Sequence, residues 1–201
     1  QSAAGQADPR ERAALAVINR QSDRLTRLVQ DVLEFSRLRL GRVALRRQVF
    51  DLRQLAVETM EELQVTTQRH RLVLNSDAPV TVDADRDRIG QVMANLLDNA
   101  IKFSPEGGEV QVTVEERAGE AHVAVRDFGV GISPEAQPHI FERYYRAYAG
   151  TPLDARGMGM GLYLNREIIE RHGGRMGFSS ALGQGSTFWF TLPLARDRGD
   201  G

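Results

Sequence analysis

Two stretches in which apolar and polar residues alternate, Glu109–Glu115 and Ala121–Arg126, flank a short loop, Arg117–Glu120. Alternation with period two makes each a strand, and so short a connection makes the pair a hairpin. The neighbouring segments add both strands and helices. Upstream, Val43–Val49 reads as a strand and Asp51–Gln68 as a helix capped by Asp51. Leu72–Leu74 and Val80–Val82 read as short strands, and Asp85 caps a helix running to about Phe103. Downstream, a Gly-rich, Pro-rich and polar stretch over 129–161 precedes a helix at Leu162–His172, which Gly173-Gly174 ends. Strands at Arg175–Ser179 and Thr187–Leu192 follow, and a polar tail closes the chain. Mixed strands with clustered helices and no internal repeat predict an α+β fold or an α/β sandwich.

The region ahead of this pattern behaves differently. Residues 1–9 are small and polar, Pro9 suits a first helical turn, and no Gly or Pro interrupts Arg10–Leu40. Ile18, Leu25, Leu28, Val32 and Phe35 form one apolar stripe, broken at Gln21, and Gly41 supplies the stop. A helix of about 30 residues with a coiled-coil-like seam needs a partner helix to cover it. The expected organisation is therefore a helical segment over 1–41, a mixed domain over 42–195 and a polar tail over 196–201.

Composition removes several classes of function. None of the 201 residues is Cys, so no disulfide framework, thiolate zinc site or cysteine nucleophile is available. No apolar run approaches the roughly 18 residues of a membrane span, and no signal peptide opens the chain. Gln1 in place of Met reads as the start of a fragment. The net charge of -1 speaks against a dedicated nucleic-acid binder. Residues 1–53 carry 11 Arg against 6 acids, a basic arm that suits an acidic partner or a solvated helix face. Of the 26 basic residues 25 are Arg, which the codon bias of a G+C-rich genome explains, and the single Lys is Lys102.

Four motifs carry candidate chemistry. In Asn95-Leu-Leu-Asp-Asn99-Ala-Ile-Lys102-Phe103-Ser104, helical spacing puts 95, 99, 102 and 103 on one face. An Asn carbonyl is a hard oxygen ligand suited to Mg²⁺, and Lys102 is a compact charge for phosphate. In Val125-Arg-Asp127-Phe-Gly129-Val-Gly131-Ile132, a carboxylate at a strand end can accept from an exocyclic amine. Glycines beside it admit a flat ring. Gly157-Met-Gly159-Met-Gly161-Leu162 runs into a helix, whose first amides form an anion site. It lacks the opening strand of a dinucleotide fingerprint and the Gly-Lys-Ser/Thr of a P-loop. The stretch Ala147–Arg156 before it reads as a mobile lid. Phe141-Glu-Arg143-Tyr144-Tyr145-Arg146 reads as a short aromatic-basic helix, a hinge for that lid. Each alone is a common surface or turn pattern; their order and spacing carry the signal.

That order resembles the nucleotide-binding boxes of sensor histidine kinases, in the superfamily of gyrase, heat-shock chaperone, histidine kinase and mismatch-repair ATPases. The resemblance covers essentially residues 10–193. It includes the closing Gly183-Gln-Gly185-Ser-Thr-Phe-Trp-Phe-Thr-Leu-Pro193 strand and the helix with Arg24-Leu-Thr-Arg-Leu-Val and Leu33-Glu-Phe-Ser-Arg37. It implies the Bergerat α/β sandwich, a mixed sheet covered by helices, preceded by one long amphipathic helix as the second helix of a dimerisation hairpin. By the same likeness Asn99 ligates Mg²⁺ and Asp127 holds the adenine amine of ATP. Asn95, Lys102, Phe103, Gly129, Gly131, Tyr145, Arg146 and Leu162 line the nucleotide, and Gly157, Gly159 and Gly161 meet its phosphates.

The resemblance further implies transfer of the γ-phosphoryl to a His and then to the Asp of a response-regulator receiver. It implies a homodimeric, membrane-anchored bacterial sensor whose cytoplasmic part this is. Hydrolases of the superfamily place a Glu one turn before the metal Asn; here Asn95 stands there and cannot take a proton. None of His70, His122, His139 and His172 sits before the acid and Pro that follow a phosphoacceptor, so the acceptor is expected outside this chain and no catalytic residue is assigned within it. Two other readings remain open: a nucleotide-gated interaction module without catalysis, and an anti-sigma-type serine kinase.

Overall fold

The computed structural model describes residues 45–151 and 158–195. The expected helix over 10–40, Gly157 and the tail over 196–201 lie outside the described residues. The chain divides into two units, residues 1–43 with 156–158 and residues 44–155 with 159–201, and the elements below belong to the second.

In chain order these are β1 (Arg47–Asp51), α1 (Leu52–Gln64), β2 (His70–Asn75), β3 (Thr81–Asp85), α2 (Arg86–Lys102), β4 (Gly108–Arg117), β5 (Glu120–Asp127), α3 (Gly161–Arg171), β6 (Met176–Ser180) and β7 (Ser186–Pro193). The hairpin forms as the alternation requires. β4 and β5 pair antiparallel up to Arg117 opposite Glu120, and the two residues between, Ala118 and Gly119, both have positive φ. That is the primed turn whose twist matches the strands it joins. The hairpin sits inside a five-stranded sheet of order β2-β4-β5-β7-β6, in which only β2 and β4 are parallel. β1 and β3 form a separate antiparallel ribbon.

One face of the sheet presents Val110, Val112, Val114, Val123, Val125 and Phe190, all buried. The three helices cover it with Leu52, Leu55, Ile89, Val92, Leu96, Leu97, Ile168 and Ile169. Burying each side chain of this size contributes roughly 1.5–3 kcal/mol, which fixes the hairpin register, because a slip of one residue would turn every valine outward. The result is the two-layer α/β sandwich that the pattern predicts. On the other face Trp189 lies over Gly177, where a Cβ would come within 2.4 Å of the indole ring.

Several boundaries differ from the expected ones, each for a visible reason. α1 stops at Gln64 rather than Gln68 because the Gln64 amide folds onto edge strand β2, accepting from Leu72 N at 2.9 Å and donating to His70 O at 2.9 Å. A side chain thereby satisfies backbone groups that an edge strand leaves bare. β1 begins at Arg47 and runs on to Asp51, whose carboxylate both caps α1 through Arg53 N and holds Val80 N at 3.0 Å. Val80 is therefore tied outside β3, which covers Thr81–Asp85.

α2 and α3 run antiparallel and are pinned at both ends. Gly161, the first residue of α3, lies against Asn95 of α2. At the other end His172 accepts from Asp85 N at 3.0 Å, and Asp85 is the N-cap of α2.

Candidate active site

The site is assembled from the C-terminal half of α2 outward. Asn99 Nδ2 donates to Asn95 Oδ1 at 3.0 Å, one turn away. This leaves the Asn99 carbonyl as a hard oxygen donor, while the Asn95 amide nitrogen lies against Gly161. The other expected members of that face depart from it. Lys102 pairs with Asp98, both about two-fifths exposed. Phe103 has left the helix: it is the C-cap, its backbone at φ -95°, ψ 10°.

The second motif closes onto that helix end. Val130 N donates to Phe103 O at 3.0 Å, and a Cβ on Gly129 would fall 1.9 Å from the same oxygen, so only glycine fits. Gly131 has φ 65°, and a Cβ there would meet Ala181 O at 2.0 Å. Beneath this loop Asp127 is 4% exposed at the end of β5. Its Oδ1 accepts from Gly129 N at 2.9 Å and from Ser186 N, its neighbour on β7, at 3.3 Å. Burial pushes the Asp127 carboxyl pKa up, and the two backbone N–H groups pull it back towards the ionised form.

The third and fourth motifs are tied to each other and to the first. Tyr144 N donates to Gly159 O at 3.0 Å, and a Cβ on Gly159 (φ 69°) would lie 2.5 Å from Tyr145 O. The expected short helix over 141–146 is absent: Tyr144 has φ 65°, a left-handed conformation that no helix continues through, and the nearest helical turn is Gln137–His139. A Cβ on Gly161 would lie 2.6 Å from Asn95 Nδ2. The first turn of α3 has no side-chain cap, so its N–H groups are left without a side-chain acceptor beside Asn95.

Contact therefore runs unbroken from Asp127 through Gly129, Gly131 and Phe103 to Asn99, Asn95, Gly161 and Gly159. Leu162, half-buried in the first turn of α3, packs against the core, and Tyr145 rests beside His139, ring centres 5.3 Å apart. Arg146 is half-buried in the segment that precedes Tyr148. Two contributors carry no sequence signal. Tyr148, in an aperiodic stretch, donates its hydroxyl to Gly131 O and packs its ring on Phe103 at 5.1 Å. Ser186 contributes a backbone N–H, which any residue supplies.

Among the described residues no cluster of three His, Cys, Asp or Glu could hold a metal ion. A cation here would rest on the Asn99 carbonyl and on oxygens brought by a substrate, which is how Mg²⁺ is commonly held. The donor set fits that ion and does not fit zinc.

A family profile described as "Histidine kinase-, DNA gyrase B-, and HSP90-like ATPase" matches residues 84–196, more than half of the chain. The chain belongs to this ATPase family. Histidine protein kinase DivJ of Caulobacter vibrioides is 38% identical over 181 residues, 89% of this chain and 30% of DivJ. The crystal structure of full-length ShkA in complex with AMPPNP superposes with a TM-score of 0.79 at 29% identity, covering 95% of this chain and 40% of that one. Histidine kinase ThkA in complex with response regulator protein TrrA gives a TM-score of 0.74 at 27% identity, covering 96% of this chain and 54% of that one. The chain thus spans under a third of DivJ and less than half of ShkA. Within the ATPase family the four histidines have structural surroundings here. His70 and His172 are buried, His122 stacks on Trp189 and His139 pairs with Glu142.

Proposed function

We propose that this chain is the Mg-ATP-binding catalytic part of a two-component sensor histidine kinase. It delivers the γ-phosphoryl to a His outside this chain, from which a response-regulator receiver Asp takes it. The reading includes a homodimer built through residues 10–40, no nucleic-acid partner, and a cytoplasmic position in a membrane-anchored sensor. Among the described residues no helix is long and apolar enough to cross a membrane.

One observation carries the reading: Gly161 seats the first turn of α3 against the Asn95–Asn99 pair. An anion-binding helix terminus and a hard oxygen ligand thereby share one opening. In this reading Asp127 accepts from the base's exocyclic amine, Asn99 offers the metal ligand, and Lys102 exchanges Asp98 for phosphate oxygens. Gly157 and Gly159 keep the phosphate side clear of side chains, while Tyr145 and Arg146 flank it. Mg²⁺ would neutralise charge on the β- and γ-phosphate oxygens. Asn95, an amide, cannot accept a proton from water, so the site positions ATP for transfer and does not activate hydrolysis. Relatives in complex with AMPPNP and with a response regulator support the same assignment.

The test is calorimetric titration of the 201-residue chain with Mg-ADP and Mg-GDP. ADP should bind, GDP should bind much more weakly because its 6-carbonyl meets a carboxylate, and Asp127→Ala should weaken ADP at least a hundredfold. A folded Asp127→Ala chain that binds ADP normally would overturn the site.

A further inference from the structure

We propose that Tyr148 is a plug in the base half of this site, holding the place on Phe103 that a purine takes, and that nucleotide binding displaces it. The inference rests on the nucleotide reading above and adds a residue to it.

The Tyr148 ring centre lies 5.1 Å from that of Phe103, tilted by 33°. That distance leaves no room for a third ring between them. The hydroxyl donates to the carbonyl of Gly131, in the loop that Gly129 N ties to the Asp127 carboxylate. Burial and then the Asp127 charge push the Tyr148 pKa up, so the proton needed for that donation stays in place. The backbone of Tyr148 is fixed as well: Thr151 N and Thr151 Oγ1 both donate to Tyr148 O, at 3.1 and 2.8 Å. A side chain held at its backbone, stacked at its ring and bonded at its tip is a defined occupant.

Each of these side-chain contacts has a nucleotide equivalent. A purine on Phe103 replaces the ring contact, and an amine on Asp127 brings a polar group to the same wall of the pocket. The exchange costs one aromatic pair and one hydrogen bond, few enough for a ligand to displace. The apparent affinity for nucleotide is reduced by the fraction of molecules in which the plug is seated.

The test uses the 201-residue chain as wild type, Tyr148→Phe and Tyr148→Ala, titrated with Mg-ADP. Tyr148→Ala should bind about three- to tenfold more tightly, the range an aromatic pair supplies. Tyr148→Phe, which keeps the ring and loses the bond to Gly131, should move the same way by less. With 3-fluorotyrosine incorporated, the ¹⁹F signal missing from Tyr148→Phe identifies residue 148, and it should shift when ADP is added to wild type. ADP binding that leaves this signal still, or a Tyr148→Ala affinity equal to or below wild type, overturns the plug while leaving the nucleotide reading intact. If no variant binds ADP, the nucleotide reading falls and takes the plug with it. Binding by Tyr148→Ala alone supports both.

Discussion

Replacing Gly161 by Ala tests the joint between α3 and the Asn pair with a single methyl group. The added Cβ would lie 2.6 Å from Asn95 Nδ2, 3.2 Å from its Oδ1 and 3.4 Å from its Cγ. Ordinary contact therefore requires the amide to retreat by about 1 Å, and overpacking of this kind costs about 1–3 kcal/mol if nothing yields. Asn95 is half-buried and can swing away, but its Oδ1 holds Asn99 Nδ2 at 3.0 Å, so the movement gives up that bond, worth about 0.5–1.5 kcal/mol. Alanine in a helix recovers up to about 1 kcal/mol over glycine. Stability should therefore change by no more than about 1 kcal/mol, whereas Mg-ADP affinity should fall about 10- to 100-fold because the metal-side oxygen is no longer held. Urea melts and calorimetry on the same samples separate the two effects. Gly90→Ala is the contrast: it lies inside α2 with its nearest neighbour, Leu55 Cδ1, at 3.5 Å. It should gain about 0.5–1 kcal/mol of stability and leave affinity unchanged. Wild-type affinity in Gly161→Ala would refute the claim that the two helices share one ligand site.

His172 should make the fold sensitive to mild acid. Its Nε2 accepts from Asp85 N and its Nδ1 donates to Ile168 O at 2.7 Å, a neutral tautomer; burial lowers its pKa against the opposing Ile168 bond, with Arg47 adding to the lowering and Asp85 resisting it. The depressed folded pKa makes its stabilisation complete above the unfolded value of about 6.5 and lost below it, by about 1.4 kcal/mol per pH unit until the folded value is reached. Urea melts at pH 7.5 and 5.5 should show wild type losing more than His172→Gln, and parallel losses would exclude His172 as the cause. Lys102→Arg should weaken Mg-ATP binding about three- to tenfold with little effect on melting, because a wide planar fork replaces a point charge while a surface pair with Asp98 contributes only about 0–1 kcal/mol. Equal affinity by calorimetry would mean that the lone lysine has no role at the phosphates.

The sequence made the scaffold legible where side-chain periodicity and burial agree. Val110, Val112 and Val114 alternate and are buried, so β4 could be read off the pattern, and Asp85 before an apolar-periodic run announced α2. The candidate site was legible where backbone proximity demands glycine: Gly129, Gly131, Gly159 and Gly161 each meet another segment too closely for a side chain. What escaped detection depends on tertiary contacts with no local signature. Gln64 ends α1 by reaching eight residues ahead, Tyr148 finds Gly131 seventeen residues back, and Tyr144 adopts a left-handed backbone in a stretch whose composition suggests a helix. Lys102 shares the motif of Asn99, yet its partner is Asp98, because spacing sets which positions are neighbours and charge decides which of them pair.

The pinning of α3 at both ends explains how so short a helix can serve as a fixed wall of the site. Eleven residues span about 16 Å at the α-helical rise, so the anchorage of one end sets the position of the other. His172 fastens the C-terminal end to the backbone of Asp85, across 87 positions of sequence, and Gly161 lets the N-terminal end approach Asn95 without a clash. The two contacts act together: the histidine bond ties the C-terminal end of α3 to the start of α2, and glycine at 161 lets its first turn reach Asn95 without displacing the amide. Together they hold uncapped amides beside two side-chain amides, an arrangement of dipoles with no group that titrates near neutral pH. Such a wall can orient and stabilise an anion, and it cannot take a proton from water. This is the division of labour that phosphoryl transfer needs, where positioning and charge neutralisation supply nearly all of the catalysis.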